Sequence, residues 1–328
     1  MDLADTFGRV ATDLRVSLTD RCNLRCTYCM PAEGLPWLPS ERMLTDGEIV
    51  RLVGVAVRLL GVTEIRLTGG EPTLRPGLAD LVGRLAALRP RPQLSLTTNG
   101  LSLARLAARL RAAGLDRVNV SLDTLDPVRF ARITRRDRLG DVLAGLRAAA
   151  ASGLAPVKVN SVLLRGVNDD EAPRLLRWSL AEGYELRFIE QMPLDAQHGW
   201  RRSTMVTAGE TLAALRAEFT LRPLPGRGSA PAELFEIDGG SGRVGVIGSV
   251  SAPFCAACDR VRLTADGQVR NCLFAREESD LRLALRAGAD DERLADLWRA
   301  AVRGKHAGHG IDDVTFRQPD RPMSAIGG

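Results

Sequence analysis

The sequence predicts an α/β fold, a partial (β/α)6 barrel open on one side, and three observations carry that expectation. Short β-rich runs alternate with amphipathic helical stretches through the first 195 residues, the rhythm of βα units on a parallel sheet. Six such units can be read, short of the eight that close a barrel. With 328 residues, 45% hydrophobic and 26% charged, the chain can fold and bury one substantial core.

The candidate strands fall at 14–18, 63–67, 93–97, 117–122, 157–163 and 185–189, with helical patterns between them at 46–60, 77–88, 102–113, 139–152 and 170–182. The first strand runs straight into Cys22-x3-Cys26-x2-Cys29, which puts a cysteine loop at a carboxyl end, where βα barrels gather their chemistry. The second ends in Thr68-Gly69-Gly70-Glu71-Pro72. Its two glycines let the backbone approach a ligand closely, and Glu71 brings an acceptor. An ordinary turn is the competing reading. Later strands carry Thr97-Thr98-Asn99-Gly100, Ser121-Leu122-Asp123, Lys158-Val159-Asn160 and the string from Arg187 to Met192. Each alone is turn or cap chemistry, but four polar clusters at successive strand ends describe a lined cavity.

After about residue 195 the rhythm breaks. Residues 220–250 are rich in Gly and Pro, with short runs at 233–237 and 244–247, and helical stretches follow at 279–287 and 290–302. Two regions are therefore expected: a barrel core over 1–195 and a mostly β region over 196–328. No internal repeat is present.

Net charge is +5 and the pI about 9.1, but 43 of the 45 basic residues are arginines scattered through helical segments. No Lys/Arg-rich run marks a nucleic-acid footprint, and 4% aromatics are too few for base stacking. A small anionic ligand fits better. Lys158 is notable as one of two lysines, since a compact ammonium suits a phosphate or ribose oxygen where a planar guanidinium does not. No apolar run reaches the ~18 residues of a membrane span and the start is not a signal peptide, so a cytoplasmic location is expected.

Six cysteines form two triplets, the second being Cys255-x2-Cys258-x13-Cys272. A reducing compartment makes three disulfides a poor reading. Three thiolates leave one iron of an iron–sulfur cube open to a substrate, whereas structural zinc takes four protein ligands. The histidines, His198, His306 and His309, lie beside neither triplet in sequence. Zinc stays open chiefly for the second triplet, whose Cys-x2-Cys also suits it. In Cys258-Asp259-Arg260-Val261-Arg262-Leu263 the arginines alternate along an extended run, so both side chains share a face. A solvated pair competes with phosphate or carboxylate forks.

Residues 22–29, Cys-Asn-Leu-Arg-Cys-Thr-Tyr-Cys, have the form CxxxCxΦC with Φ aromatic, and resemble the loop of the radical S-adenosylmethionine (SAM) enzymes. The longer string over 14–31, the second triplet within 254–274 and the terminal Gly327-Gly328 narrow the resemblance to the GTP 3′,8-cyclase family of molybdenum cofactor biosynthesis, nearly end to end. The resemblance implies a TIM-like radical SAM barrel with a C-terminal extension carrying a second iron–sulfur cluster. It implies two [4Fe–4S] clusters, on Cys22, Cys26 and Cys29 and on Cys255, Cys258 and Cys272. It places Tyr28, Gly70, Ser121 and Met192 at SAM, and Arg15, Arg66, Thr97, Lys158, Arg260 and Arg262 at GTP, with Arg187 in the same cavity. Arg260, Arg262, Lys158 and the tail glycines Gly327 and Gly328 are the expected catalytic set.

The implied reaction starts when a 5′-deoxyadenosyl radical takes the ribose 3′ hydrogen. The carbon radical then attacks C8 of guanine, giving (8S)-3′,8-cyclo-7,8-dihydroguanosine 5′-triphosphate. Electrons come from a reductant or electron-transfer protein, the product passes to cyclic pyranopterin monophosphate synthase, and the chain is a monomer or homodimer. One residue departs from the family pattern: Glu64 stands where relatives often carry a basic residue, which puts triphosphate binding there in doubt. Two other readings remain: a peptide-modifying radical SAM enzyme with an auxiliary cluster, and a non-catalytic metal-binding scaffold.

Overall fold

The structure, a computed structural model, describes residues 2–327. Six parallel strands form its centre: β1 (Asp13–Ser17), β2 (Glu64–Thr68), β3 (Gln93–Thr98), β4 (Arg117–Ser121), β5 (Val157–Val162) and β6 (Glu185–Ile189). Their residues alternate by face. Leu14, Val16, Ile65, Leu67, Leu94, Leu96, Val118 and Val120 are fully buried in the core. Each such side chain stabilises the fold by about 1.5–3 kcal/mol. The intervening positions, such as Arg15, Arg66, Thr97 and Asn160, face the barrel interior and line its cavity.

The connecting helices are α1 (Asp46–Leu60), α2 (Leu78–Ala86), α3 (Leu103–Ala112), α4 (Pro127–Thr134), α5 (Leu139–Ala151) and α6 (Ala172–Ala181). Helix α1 shows why this sequence starts and stops where it does. The Thr45 hydroxyl accepts from the Glu48 amide and the Glu48 carboxylate accepts from the Thr45 amide, while Gly61 ends the helix at φ 74°.

The remaining elements are α7 (Ala208–Arg216), β7 (Leu221–Pro223), β8 (Glu233–Ile237), β9 (Gly242–Ile247), β10 (Arg260–Leu263), β11 (Gln268–Arg270), β12 (Ser279–Asp280), α8 (Leu281–Arg286), α9 (Asp291–Arg303) and α10 (Met323–Ile326). The C-terminal strands extend both edges of the barrel sheet. β9 pairs parallel with β6 and β10 parallel with β1, giving the order β12-β11-β10-β1-β2-β3-β4-β5-β6-β9-β8-β7. The sheet does not close. Trp298 of α9 is fully buried, and Asp291 ties that helix to Arg51 and Arg58 of α1 at 3.0 and 3.1 Å.

All six expected barrel strands and the five helices between them are present. Sequence reading missed α4, α7, α10, β7, β11 and β12. The three strands have two or three residues, too short for a period-2 pattern. Helix α7 carries a Thr207–Glu210 capping box that marked its start. No helix among the described residues is long and apolar enough to cross a membrane.

Candidate active site

Both cysteine triplets line one cavity of about 340 Å³. The first lies on the loop after β1, which is held from two sides. The amides of Gly70 and Glu71 donate to the carbonyls of Thr19 and Arg21, both at 2.7 Å. The amides of Arg25 and Thr27 donate to Thr134 and Ile133 at the end of α4, both at 2.9 Å. Helix α4 is therefore part of what holds the cysteine loop. A Cβ on Gly70 would stand 2.4 Å from the Arg21 carbonyl oxygen, and Gly69 has φ 145°, so the glycines permit a close backbone approach.

Glu71 does not offer its acceptor to a ligand. Its buried carboxylate takes hydrogen bonds from the Thr98 hydroxyl and the Asn99 amide, both at 2.7 Å, and from the Thr73 amide at 3.0 Å. Burial raises its pKa. Its work is to lock the ends of β2 and β3, which fixes Asn99 against Asn23 of the cysteine loop at 2.7 Å.

Tyr28 faces the cavity with its hydroxyl donating to Asp123 at 2.7 Å, and Asp123 accepts in turn from the Val162 amide at 2.9 Å. Burial lifts Asp123 to about 6. Gly70, Thr97, Ser121 and Met192 also line the cavity, as expected.

Burial pushes the thiols of the first triplet up, Cys29 to about 12. At Cys258 burial also pushes upward, but the cations of Arg260 and Lys305 outweigh it and bring the thiol down to about 7. A coordinated metal deprotonates thiols outright, so a metal supplies the stabilisation that the first triplet lacks. Three thiolates in each triplet suit an iron–sulfur cube that keeps one iron open, where structural zinc takes four protein ligands.

Five arginines complete the wall: Arg15, Arg66, Arg187, Arg260 and Arg262. Arg262, Arg15 and Arg66 are register neighbours across β10, β1 and β2. Burial, then the neighbouring Arg66 and Arg262, pulls Arg15 well below its ordinary pKa, and burial lowers Arg187 and Arg262 to about 10. Arg15 Nε, Arg66 Nε, Arg187 Nε and Arg260 Nη2 are buried without a hydrogen-bond partner. The nearest compensating carboxylate, Asp13, stands 3.5 Å from Arg66. Orphaned donors in a cation-rich, buried space are what a polyanionic ligand satisfies.

Lys158 does not reach the cavity wall itself; it stands two residues before Asn160 on the same face of β5, with its ammonium 3.4 Å from Glu185. Burial and Arg187 lower its pKa to about 8. Glu64 is also off the wall, paired with Arg117 at 2.9 Å. Gly327 enters the site: its carbonyl accepts from Arg262, and a Cβ there would meet Thr68 at 2.7 Å. Gly328 lies outside the described residues. Sequence reading gave Glu190 no role. Its buried carboxylate accepts from the amides of Ala208 and Val250 at 2.7 Å and Ser251 at 2.8 Å, stapling the segment that leads to Cys255 onto the end of β6. The Ser251 hydroxyl also donates to it, but its other partners are amides, which carry no sequence mark.

A parallel barrel with a three-cysteine loop after its first strand, and a second triplet on the same cavity, defines a radical SAM protein with an auxiliary metal region. Residues 16–179 match the Radical SAM superfamily and residues 184–311 match Molybdenum Cofactor Synthesis C. The GTP 3′,8-cyclase of Streptomyces coelicolor is 68% identical over 99% of this chain and 96% of its own length. That of Mycobacterium sp. strain KMS is 65% identical over 99% and 93%, and GTP 3′,8-cyclase 2 of Mycobacterium tuberculosis 62% identical over 99% and 92%. The solved structure of Streptococcus suis SuiB bound to S-adenosylmethionine shares the fold, with a TM-score of 0.61 at 13% identity over 90% of this chain and 68% of that one. The chain belongs to the GTP 3′,8-cyclase family of the radical SAM superfamily.

Proposed function

We propose that this protein is a radical SAM GTP 3′,8-cyclase, converting GTP to (8S)-3′,8-cyclo-7,8-dihydroguanosine 5′-triphosphate in the first step of molybdenum cofactor biosynthesis. The observation that carries this reading is the arginine-lined cavity between two cysteine triplets, with four guanidinium N–H groups left unpartnered. Cys22, Cys26 and Cys29 would hold one [4Fe–4S] cluster and Cys255, Cys258 and Cys272 the other. When bound, the first cluster and SAM supply the radical that removes the ribose 3′ hydrogen.

The chain's own part is to bind, orient and exclude water. The Tyr28 ring, held by Asp123, together with Gly70, Ser121 and Met192, forms the SAM side of the cavity. Arg15, Arg66, Arg187, Arg260 and Arg262 take the triphosphate and ribose, with Thr97 beside them and Lys158 reaching in from β5. Holding ribose and base in one reactive geometry raises the effective concentration of the reacting carbons. Gly327 closes the site beside Arg262. The barrel core over 1–195 serves SAM, and the region over 196–328 serves the second cluster. Electrons arrive from a reductant or electron-transfer protein in the cytoplasm, and the product passes to cyclic pyranopterin monophosphate synthase.

The test is hydrogen transfer from GTP deuterated at the ribose 3′ position, in anaerobically reconstituted protein with SAM and a strong reductant. Deuterium in the 5′-deoxyadenosine is the expected result. SAM cleavage without deuterium transfer, with both clusters intact, removes the GTP assignment and favours a peptide substrate.

A further inference from the structure

Lys305, the second of the chain's two lysines, follows α9 and is 5% exposed. Its ammonium donates three hydrogen bonds: to the Cys258 carbonyl oxygen at 2.9 Å, to Cys258 Sγ at 3.3 Å and to the Arg260 carbonyl oxygen at 3.0 Å. Three donors around one nitrogen meet three acceptors, a demand a planar guanidinium does not match. In a chain with 43 arginines, lysine stands where geometry asks for a point charge.

Among the described residues the charge has no carboxylate partner. Among the described residues Lys158 makes an ion pair, but no carboxylate comes within 4.0 Å of the Lys305 ammonium. An unpaired buried cation is strongly destabilising, so an anion is required beside it. The one acceptor of the three that can carry full negative charge is Cys258 sulfur. Arg9 provides the contrast. It braces the same region through the carbonyls of Cys255 at 2.7 Å and His306 at 2.6 Å, yet it is neutralised by Asp5 at 2.5 Å.

We infer that Lys305 sets the reduction potential of the metal group on the second triplet, acting through Cys258 sulfur. The inference rests on the proposed cluster at Cys255, Cys258 and Cys272. A cation hydrogen-bonded to a ligand thiolate stabilises the state carrying one more electron, so it raises the potential. Lys305 thereby eases entry of the single electron that a one-electron reductant delivers to that cluster. It lies off the cavity wall and is a positioning residue.

The experiment is an anaerobic redox titration of the reconstituted holoenzyme, followed by electron paramagnetic resonance. The second-cluster wave is identified as the one missing from Cys272→Ser. Lys305→Met keeps the aliphatic stem and removes the charge. It is expected to retain about eight irons per chain and to shift the oxidised-to-reduced ratio of the second cluster about tenfold toward oxidised, 59 mV for a one-electron couple. Lys305→Arg should stay near wild type, and the first-cluster wave should not move. If the Met variant loses iron, Lys305→Gln, which keeps N–H donors without the charge, is titrated in its place. An unmoved second wave in an iron-replete Met or Gln variant overturns the inference and leaves the proposed function standing. If Cys272→Ser costs the protein no iron, the second-cluster reading falls first and the inference with it.

Discussion

Alanine at position 70 puts a methyl group where the backbone of the cysteine loop already lies. The new Cβ would sit 2.4 Å from the Arg21 carbonyl oxygen and 2.5 Å from that of Asp20. Ordinary contact begins near 3.4 Å, so the two segments must part by about 1 Å. Both obstructing atoms are main chain, and no side chain can rotate away. That separation breaks the Gly70–Thr19 and Glu71–Arg21 hydrogen bonds, each 2.7 Å long. Two lost bonds at about 1 kcal/mol each, with overpacking of about 1–3 kcal/mol, give a loss of about 3–5 kcal/mol. Gly166 is the control, since it has φ 69° but nothing within 4 Å of the place a methyl group would take. Alanine there meets only the left-handed penalty of about 1–2 kcal/mol. Urea unfolding gives the stability, and equilibrium dialysis of SAM against reconstituted protein gives the site. Gly70→Ala should lose SAM affinity by at least about tenfold, a change of 1.4 kcal/mol, while Gly166→Ala binds SAM normally. A Gly70→Ala protein within about 1 kcal/mol of wild type that binds SAM normally refutes the close-approach argument.

Cys22→Ser should abolish SAM cleavage, whereas Cys272→Ser should keep part of it and lose the cyclised product; normal product from Cys272→Ser removes the second triplet from the reaction. Lys158 is protonated below about 8, so GTP affinity should weaken as pH rises from 7 to 9, by about tenfold for a lost charged hydrogen bond. Lys158→Met should flatten that limb, and an equally steep limb in the variant counts against the contact. Glu48 is held down to about 2 by its hydrogen bond to Arg286, despite burial that raises it, and by the Thr45 amide. Its stabilisation is therefore complete above the ordinary carboxylate range and lost as pH falls through about 2. Glu48→Ala should cost about 1–2 kcal/mol at pH 7 in urea unfolding, a deficit that shrinks toward pH 2; a deficit constant across that range contradicts the capping argument.

Much of the site was legible because its signals are local. Cys22, Cys26 and Cys29 fall within one loop, Gly69 and Gly70 within one turn, and Arg260 and Arg262 on one face of a short strand. Glu71 shows the limit of such reading. The motif located the turn correctly, but an acceptor in a sequence does not say which donors will claim it, and here Thr98, Asn99 and Thr73 do. Lys158 shows it again, since its place on β5 was readable but its pairing with Glu185 across the β5–β6 register follows from the packing of the barrel.

The sequence alone determined the repeating βα rhythm, the number of barrel strands and the chemistry of both triplets, because spacing within a loop or along a strand survives in one dimension. Only the tertiary structure decided that β9 joins β6 while β10 joins β1, which brings Cys255, Cys258 and Cys272 onto the cavity of the first triplet. It also decided that Lys305 reaches Cys258 across 47 positions and Arg9 reaches Cys255 across 246. Most of these long-range bonds end on main-chain carbonyls or amides, which every residue carries. Such a partner leaves no pattern in the sequence, and only the folded chain selects it.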